Sequence, residues 1–241
     1  MKLNFLTDSR IKTALLSPVF VGMSAALLLG ACGDKGAKAA NVAVDGRTTY
    51  ETATDHAMGS ITAPITVVEY ASLTCPHCAT WSLSVFPEFQ KKFIDTGKVR
   101  YVFREFPTPP VDLARAGHLL TNCAPEEKYF DLLHAQFRQQ ESIRTSSDIK
   151  GEFIKLAKSA GMSEADFDAC MVNQEELDKL QAVIIGGANA GVTGTPMFFI
   201  NGEISSNTFT IEQFDKAFAK ALGEPIPEPS EKSDETEKSG H

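Results

Sequence analysis

The chain has 241 residues, 43% of them hydrophobic, and its 31 acidic against 23 basic side chains give a formal net charge of -8. That is enough apolar material for one full core, alone or with an insertion. No stretch is basic enough to track a phosphate backbone, so nucleic acid is not an expected partner.

Residues 1–31 read as an export signal rather than as part of a fold. Lys2, Arg10 and Lys12 supply a positive start, offset by Asp8, and Ala14 to Leu29 is an apolar run broken by Ser17, Pro18, Gly22 and Ser24. The run ends in Leu29-Gly30-Ala31-Cys32, which resembles the bacterial lipobox. That resemblance implies a lipid-bearing Cys32 at the mature N-terminus and membrane attachment through it; several acyl chains on one residue anchor stably where a single chain is marginal. Cleavage after Ala37-Lys38-Ala39, or an uncleaved membrane anchor, are the alternatives. Residues 32–55, poor in large apolar groups over most of their length, read as a tether.

The five cysteines stand at 32, 75, 78, 123 and 170. An odd count in an exported protein needs a reason. With Cys32 set aside for lipid, four remain, enough for two pairs in an oxidising compartment.

The first strand is expected over about 64–71, an apolar run containing Glu69. A helix follows from about 76 to 96, kinked by Pro87. Lys98 to Phe106 is rich in β-formers, and Pro107, Pro109 and Pro110 end it. Residues 107–190 then carry helical spacing: Val111 to Leu120, Glu127 to Arg138, a helix capped by Ser147 and running to about Lys158, another started by Ser163 with Asp166 three residues on, and a last one from Asn173 to about Ile185 stopped by Gly186-Gly187. Pro196 to Ile200 is a short strand, Asn201-Gly202 a hairpin turn, and Glu203 to Ser205 the return strand. Thr210 to Leu222 closes with an amphipathic helix. Residues 223–241, rich in proline and charge, read as a disordered tail.

Cys75-Pro76-His77-Cys78 sits where the first strand gives way to the first helix. Two cysteines so spaced can form a small disulfide, and the first thiol feels the positive end of the helix, which favours thiolate. Thiolate is the species that attacks disulfides and leaves them. A structural disulfide or a zinc site would also use this pair, but zinc needs two more ligands, and no second CxxC or paired histidines occur. Haem attachment needs a histidine where Ala79 stands. No metal is therefore expected, and the redox-active disulfide Cys75–Cys78 takes the place of a cofactor.

Two segments, Val67 to Cys78 and Gly191-Val192-Thr193-Gly194-Thr195-Pro196-Met197-Phe198-Phe199-Ile200-Asn201-Gly202, with a helical block between them, resemble the DsbA-type thiol:disulfide oxidoreductases. The resemblance covers roughly residues 56–222. It implies an α/β, thioredoxin-like fold with an inserted all-helical subdomain: the core from 56–106 and 191–222, the insertion from 107–190. It makes Cys75 the nucleophile and Cys78 the resolving thiol, with Pro76 and His77 setting the redox poise. Glu69 becomes a buried acid beneath the pair, suited to proton transfer at Cys78; a glutamate on a partly exposed strand face is the alternative. Thr195 and a cis Pro196, beside Gly194, become the loop that faces Cys75 and pairs with an extended peptide; an ordinary proline opening an edge strand is the alternative. Cys123 and Cys170 read as an extra disulfide in the helical region, or as two buried thiols. His118 and His134 read as ordinary helix-surface or core-edge residues, and Trp81 as packing on the active-site helix.

The implied activity is introduction of disulfides into reduced, unfolded exported proteins in a bacterial periplasm, with a quinone-linked membrane partner of the DsbB type restoring the oxidised enzyme. A disulfide isomerase or reductase, and a periplasmic redox metallochaperone, are the rival readings.

Overall fold

The computed structural model describes residues 48–226. The expected signal, Cys32 and most of the expected tether, together with the expected tail beyond 226, lie outside the described residues.

Five strands form one sheet in the order β1-β3-β2-β4-β5: β1 His56–Met58, β2 Ile65–Ala71, β3 Val99–Glu105, β4 Met197–Ile200 and β5 Glu203–Ser205. β2 and β3 run parallel, and the other neighbours are antiparallel. β2 is central and every residue of it is buried, which is why its sequence is a nearly continuous apolar run. This is a thioredoxin-like sheet, and the helical block separates β3 from β4.

On one face Val67, Glu69 and Ala71 of β2 lie beside Tyr101 and Phe103 of β3 and Phe198 of β4. Helices α1 (Pro76–Ser84), α2 (Phe86–Phe89) and α9 (Ile211–Leu222) cover this face with Trp81, Phe86, Phe89, Phe214 and Phe218. On the other face Val68, Tyr70, Val102 and Phe199 form a smaller cluster with Val192. The insertion consists of α3 (Val111–Asn122), α4 (Tyr129–Arg138), α5 (Gln140–Thr145), α6 (Ile149–Ser159), α7 (Glu164–Met171) and α8 (Gln174–Asn189), built mainly around Leu120, Phe153, Leu156 and Phe167. Among the described residues no helix is long and apolar enough to cross a membrane.

The structure corrects several expectations. The helix expected over 76–96 breaks at Val85 and continues as α2 and a π-helical turn, Gln90–Ile94. Pro87 sits in the first turn of α2, where its missing N–H costs no hydrogen bond; in a continuous helix it would have left the Leu83 carbonyl unpaired. The cap of α6 is Asp148, not Ser147, because its carboxylate accepts from the Gly151 N–H at 2.9 Å. Helix α8 does not stop at Gly186-Gly187. It runs to Asn189 and ends at Gly191, whose φ of 91° suits glycine. Gly187 is small for packing reasons: a Cβ there would meet the Tyr70 ring at 2.8 Å and the Phe106 ring at 3.1 Å.

Residues 48–55, expected to be part of the tether, belong to the fold. From Thr48 onward the chain is strapped to the sheet. Arg100 donates to both carboxylate oxygens of Glu51 (3.2 and 3.1 Å), and Arg104 to both of Asp55 (2.9 and 2.6 Å). The acidic partners are almost wholly buried, so these forked pairs constrain the strap more than exposed ion pairs would. The hairpin at Asn201-Gly202 has positive φ at both residues, as a two-residue turn of this type requires.

Candidate active site

β2 delivers the chain to α1 through Ser72-Leu73-Thr74. Cys75 is the N-cap of α1, Pro76 takes the first helical position, and Cys78 lies one turn in. The Cys75 sulfur accepts the Cys78 backbone N–H at 3.2 Å, satisfying one of the donors a helix start leaves free. Both cysteines are free thiols. Pro76 and His77 are exposed, Cys75 is 6% exposed, and Cys78 is fully buried.

The sulfurs differ in proton affinity for identifiable reasons. The Cys78 thiol, then the Thr195 side chain and the backbone N–H groups of Cys78 and His77, hydrogen-bond to Cys75 and pull it from 9.0 to about 6, against the opposing effect of burial. Burial pushes Cys78 far up, helped by its hydrogen bond to Cys75 and by the charges of Cys75 and Glu69. One sulfur therefore holds its negative charge near neutral pH while its neighbour holds its proton.

Glu69 is 2% exposed on the central strand, so the partly exposed alternative does not hold. Burial raises its carboxyl from 4.5 to about 8, partly offset by a 2.5 Å hydrogen bond donated by the Tyr101 hydroxyl. Thr195–Pro196 is a cis peptide, and the Cys75 thiol donates to the Thr195 carbonyl at 3.3 Å. Gly194 lies in the same loop with open space beside its Cα.

Residues not singled out from the sequence frame this site. Gln140, at the start of α5, donates its amide to the carbonyls of Leu73 (2.9 Å) and Cys75 (3.0 Å), tying the insertion to the turn that enters α1. Ser72, Thr74 and Thr108 form a buried hydroxyl network: Thr74 donates to the Thr108 carbonyl at 2.7 Å, and the Thr108 N–H donates to Ser72 at 3.0 Å. Alternation along β3 could have put Tyr101 on the Glu69 face, but only with the register in hand. Nothing in the sequence points to Gln140.

The other expected residues divide. Cys123 and Cys170 are disulfide-bonded within the insertion, joining the end of α3 to α7. Trp81 packs against Phe198 and Phe86 in the core beneath α1. His134 is half-buried at the core edge, its Nδ1 2.9 Å from the Ser82 hydroxyl, and burial pulls it to about 4. His118 is neither surface nor edge. It is fully buried near Phe103, and burial pulls it to about 3, so it is neutral at pH 7. Among the described residues no three His, Cys, Asp or Glu side chains stand together as a metal-ligand set.

The Thioredoxin family model matches residues 51–220. A Rickettsia conorii protein named as a protein-disulfide oxidoreductase is 34% identical over 176 residues, 70% of this chain and 61% of that protein. The solved structure of Wolbachia pipientis alpha-DsbA1 shares 29% identity and a TM-score of 0.63, covering 73% of this chain and 94% of that one. Bacillus subtilis BdbD, at 20% identity and a TM-score of 0.64, shares the fold. A cysteine pair at a helix start, facing a cis-proline loop, on a sheet of this order, defines a thioredoxin-like protein with a helical insertion. The chain belongs to the thioredoxin family, and its structural neighbours include DsbA proteins. It spans about 61–65% of the length of the Rickettsia relatives.

Proposed function

We propose that the protein is a thiol:disulfide oxidoreductase that introduces disulfides into exported proteins through Cys75-Pro76-His77-Cys78. The observation that carries this reading is the asymmetry of the pair: Cys75, capping α1 and accepting the Cys78 N–H, favours thiolate, while the buried Cys78 favours thiol. A stabilised Cys75 thiolate favours the reduced enzyme and so makes its disulfide a good oxidant.

The steps balance as follows. A substrate thiolate attacks the Cys75 sulfur of the Cys75–Cys78 disulfide. The new bond joins substrate to Cys75, the old bond breaks, and Cys78 leaves with the electron pair. Cys78 then takes a proton from Glu69, which keeps its proton up to about pH 8. A second substrate thiolate attacks the substrate sulfur of the mixed disulfide, and Cys75 leaves as a thiolate that needs no proton above about pH 6. The substrate has lost two electrons and the enzyme has gained them. Pro76 and His77 border the attacked sulfur, and the Thr195–Pro196 loop, with Gly194, offers backbone to an extended substrate.

The cycle closes when a quinone-linked membrane partner of the DsbB type reoxidises the pair. The reading places the protein in the periplasm, held to a membrane by lipid on Cys32. No cofactor beyond the cysteine pair is invoked.

The test is the reduction potential of the Cys75–Cys78 couple, with oxidation of a reduced, unfolded test protein. The expected potential lies on the DsbA side, nearer about -120 mV than thioredoxin's about -270 mV. A thioredoxin-like potential without oxidase activity contradicts the proposal and favours a reductase or isomerase.

A further inference from the structure

We propose that Tyr101 is a positioning residue of the exchange reaction: its hydroxyl holds the Glu69 carboxyl by one oxygen and sets when that carboxyl yields its proton toward Cys78. This rests on the reading above, in which Glu69 is the proton partner of Cys78.

The geometry comes from the pairing of β2 and β3. Tyr101 lies opposite Val67 and Phe103 opposite Glu69, so Tyr101 and Glu69 are diagonal neighbours on the face that α1 covers. The Tyr101 hydroxyl reaches Oε2 of Glu69 at 2.5 Å. Its ring is fixed by Trp81, stacked at 6.3 Å, and by Phe86 at 5.1 Å. Tyr101 is 1% exposed, so water does not compete for the contact.

Glu69 has few polar neighbours. Across β4 it faces Phe198, and across β3 it faces Phe103. The titratable groups acting on this site are Cys75 and Cys78 from α1 and Tyr101 from β3. Beyond Tyr101 stands Tyr129 of α4, itself hydrogen-bonded to Glu105. His118, whose ring lies 6.1 Å from that of Phe103, is neutral at pH 7. Among the described residues these groups include no lysine or arginine. A neutral hydroxyl stabilises a buried carboxylate far less than a cation does, so the Tyr101 contact leaves Glu69 protonated at rest yet able to ionise near the working pH. Without that hydroxyl the carboxyl would hold its proton more tightly and return to the ionised state less readily.

The experiment follows the Glu69 carboxyl by isotope-edited infrared spectroscopy across pH, alongside the pH dependence of Cys78 attack on a preformed Cys75 mixed disulfide, the reverse of the first step, in which Cys78 gives its proton back to Glu69. It uses the full chain and three variants. Tyr101→Phe keeps the packed ring and removes the donor; the Glu69 midpoint and the resolution profile should both move up by about one to two pH units. Replacing Tyr101 with 3-fluorotyrosine makes a stronger donor, and both should move down. A purely structural role would lower stability and leave the midpoints in place, which overturns the proposal. Glu69→Gln separates the two claims. If its Cys78 resolves mixed disulfides at the wild-type rate, the proton role of Glu69 falls and that of Tyr101 with it. If it is slow while Tyr101→Phe leaves the midpoint unmoved, the Tyr101 proposal alone falls.

Discussion

The molecule carries two cysteine pairs, and their surroundings differ more than their burial does. Cys123 and Cys170 close a bond between α3 and α7, 47 residues apart, in a small apolar cluster with Leu119 and Leu180. Cys75 and Cys78 stand three residues apart at the start of α1, as free thiols, among groups that split their proton affinities. The first arrangement constrains chain; the second leaves two thiols with different proton affinities. What lowers the Cys75 thiol is its place at a helix start, with the Cys78 thiol and backbone N–H groups hydrogen-bonding to it, and burial alone works the other way.

The sharpest way to break the comparison is to exchange the losses. Cys75→Ser should lower oxidation of a reduced substrate by on the order of 10³-fold or more while leaving the unfolding midpoint near wild type. Full activity in that variant would remove Cys75 as nucleophile. Replacing Cys123 and Cys170 together with serine should do the reverse. Denaturant unfolding should show a loss of up to about 4 kcal/mol, since the bridge closes a long loop in the unfolded chain. Activity per folded molecule should persist. A large fall in that activity with stability intact would mean the second pair takes part in the chemistry.

Gln140 links the two regions, and Gln140→Ala sharpens the comparison at their boundary. Its amide donates to the Leu73 and Cys75 carbonyls, so its loss should cost about 1–2 kcal/mol of stability and speed amide exchange in residues 72–75. Unchanged exchange there would mean the insertion does not brace the redox turn.

The smallest expected effects lie in pH dependence. Below about pH 6 reduction of the disulfide takes up two protons per two electrons; above it, one. The potential should therefore fall by about 59 mV per pH unit below the break and about 30 mV above it. Above about pH 7.5, where His118 and His134 are neutral in both the folded and the unfolded chain, stability of the reduced protein carries two opposing contributions. Cys75, lowered from 9.0 to about 6, stabilises the fold above 9, and that contribution is lost as pH falls through 6. Glu69, raised from 4.5 to about 8, stabilises below 4.5, and that contribution is lost as pH rises through 8. In Glu69→Gln, stability of the reduced protein should therefore rise from about pH 7.5 to 9, and adding Cys75→Ser should flatten it. A rise that survives the double substitution would assign it to another group.

Much of this was legible in the sequence because it rests on local chemistry. Cys75 to Cys78 declare a helix start, Gly194-Thr195-Pro196 a special loop, and Asn201-Gly202 a hairpin, each within a few residues. What escaped depends on distant partners. Gly187 looks like a helix stop until Tyr70 and Phe106 are seen against it. His118 looks like a helix-surface or core-edge histidine until α3 turns it toward Phe103. The strand His56–Met58 has only three residues and exists because β3 offers it an edge. The strap before it looks like tether because its value lies in Glu51 and Asp55 finding Arg100 and Arg104. Gln140 and Tyr101 reach the site only through helix packing and strand register.

The central claim is the division of labour between the two sulfurs of the redox pair, and thiolate absorbance near 240 nm across a pH titration of the reduced protein reads it directly. The account predicts a single thiolate appearing with a midpoint near pH 6, absent in Cys75→Ser, and no second thiolate before pH 10. A first midpoint near pH 9, or two sulfurs ionising together, would contradict it.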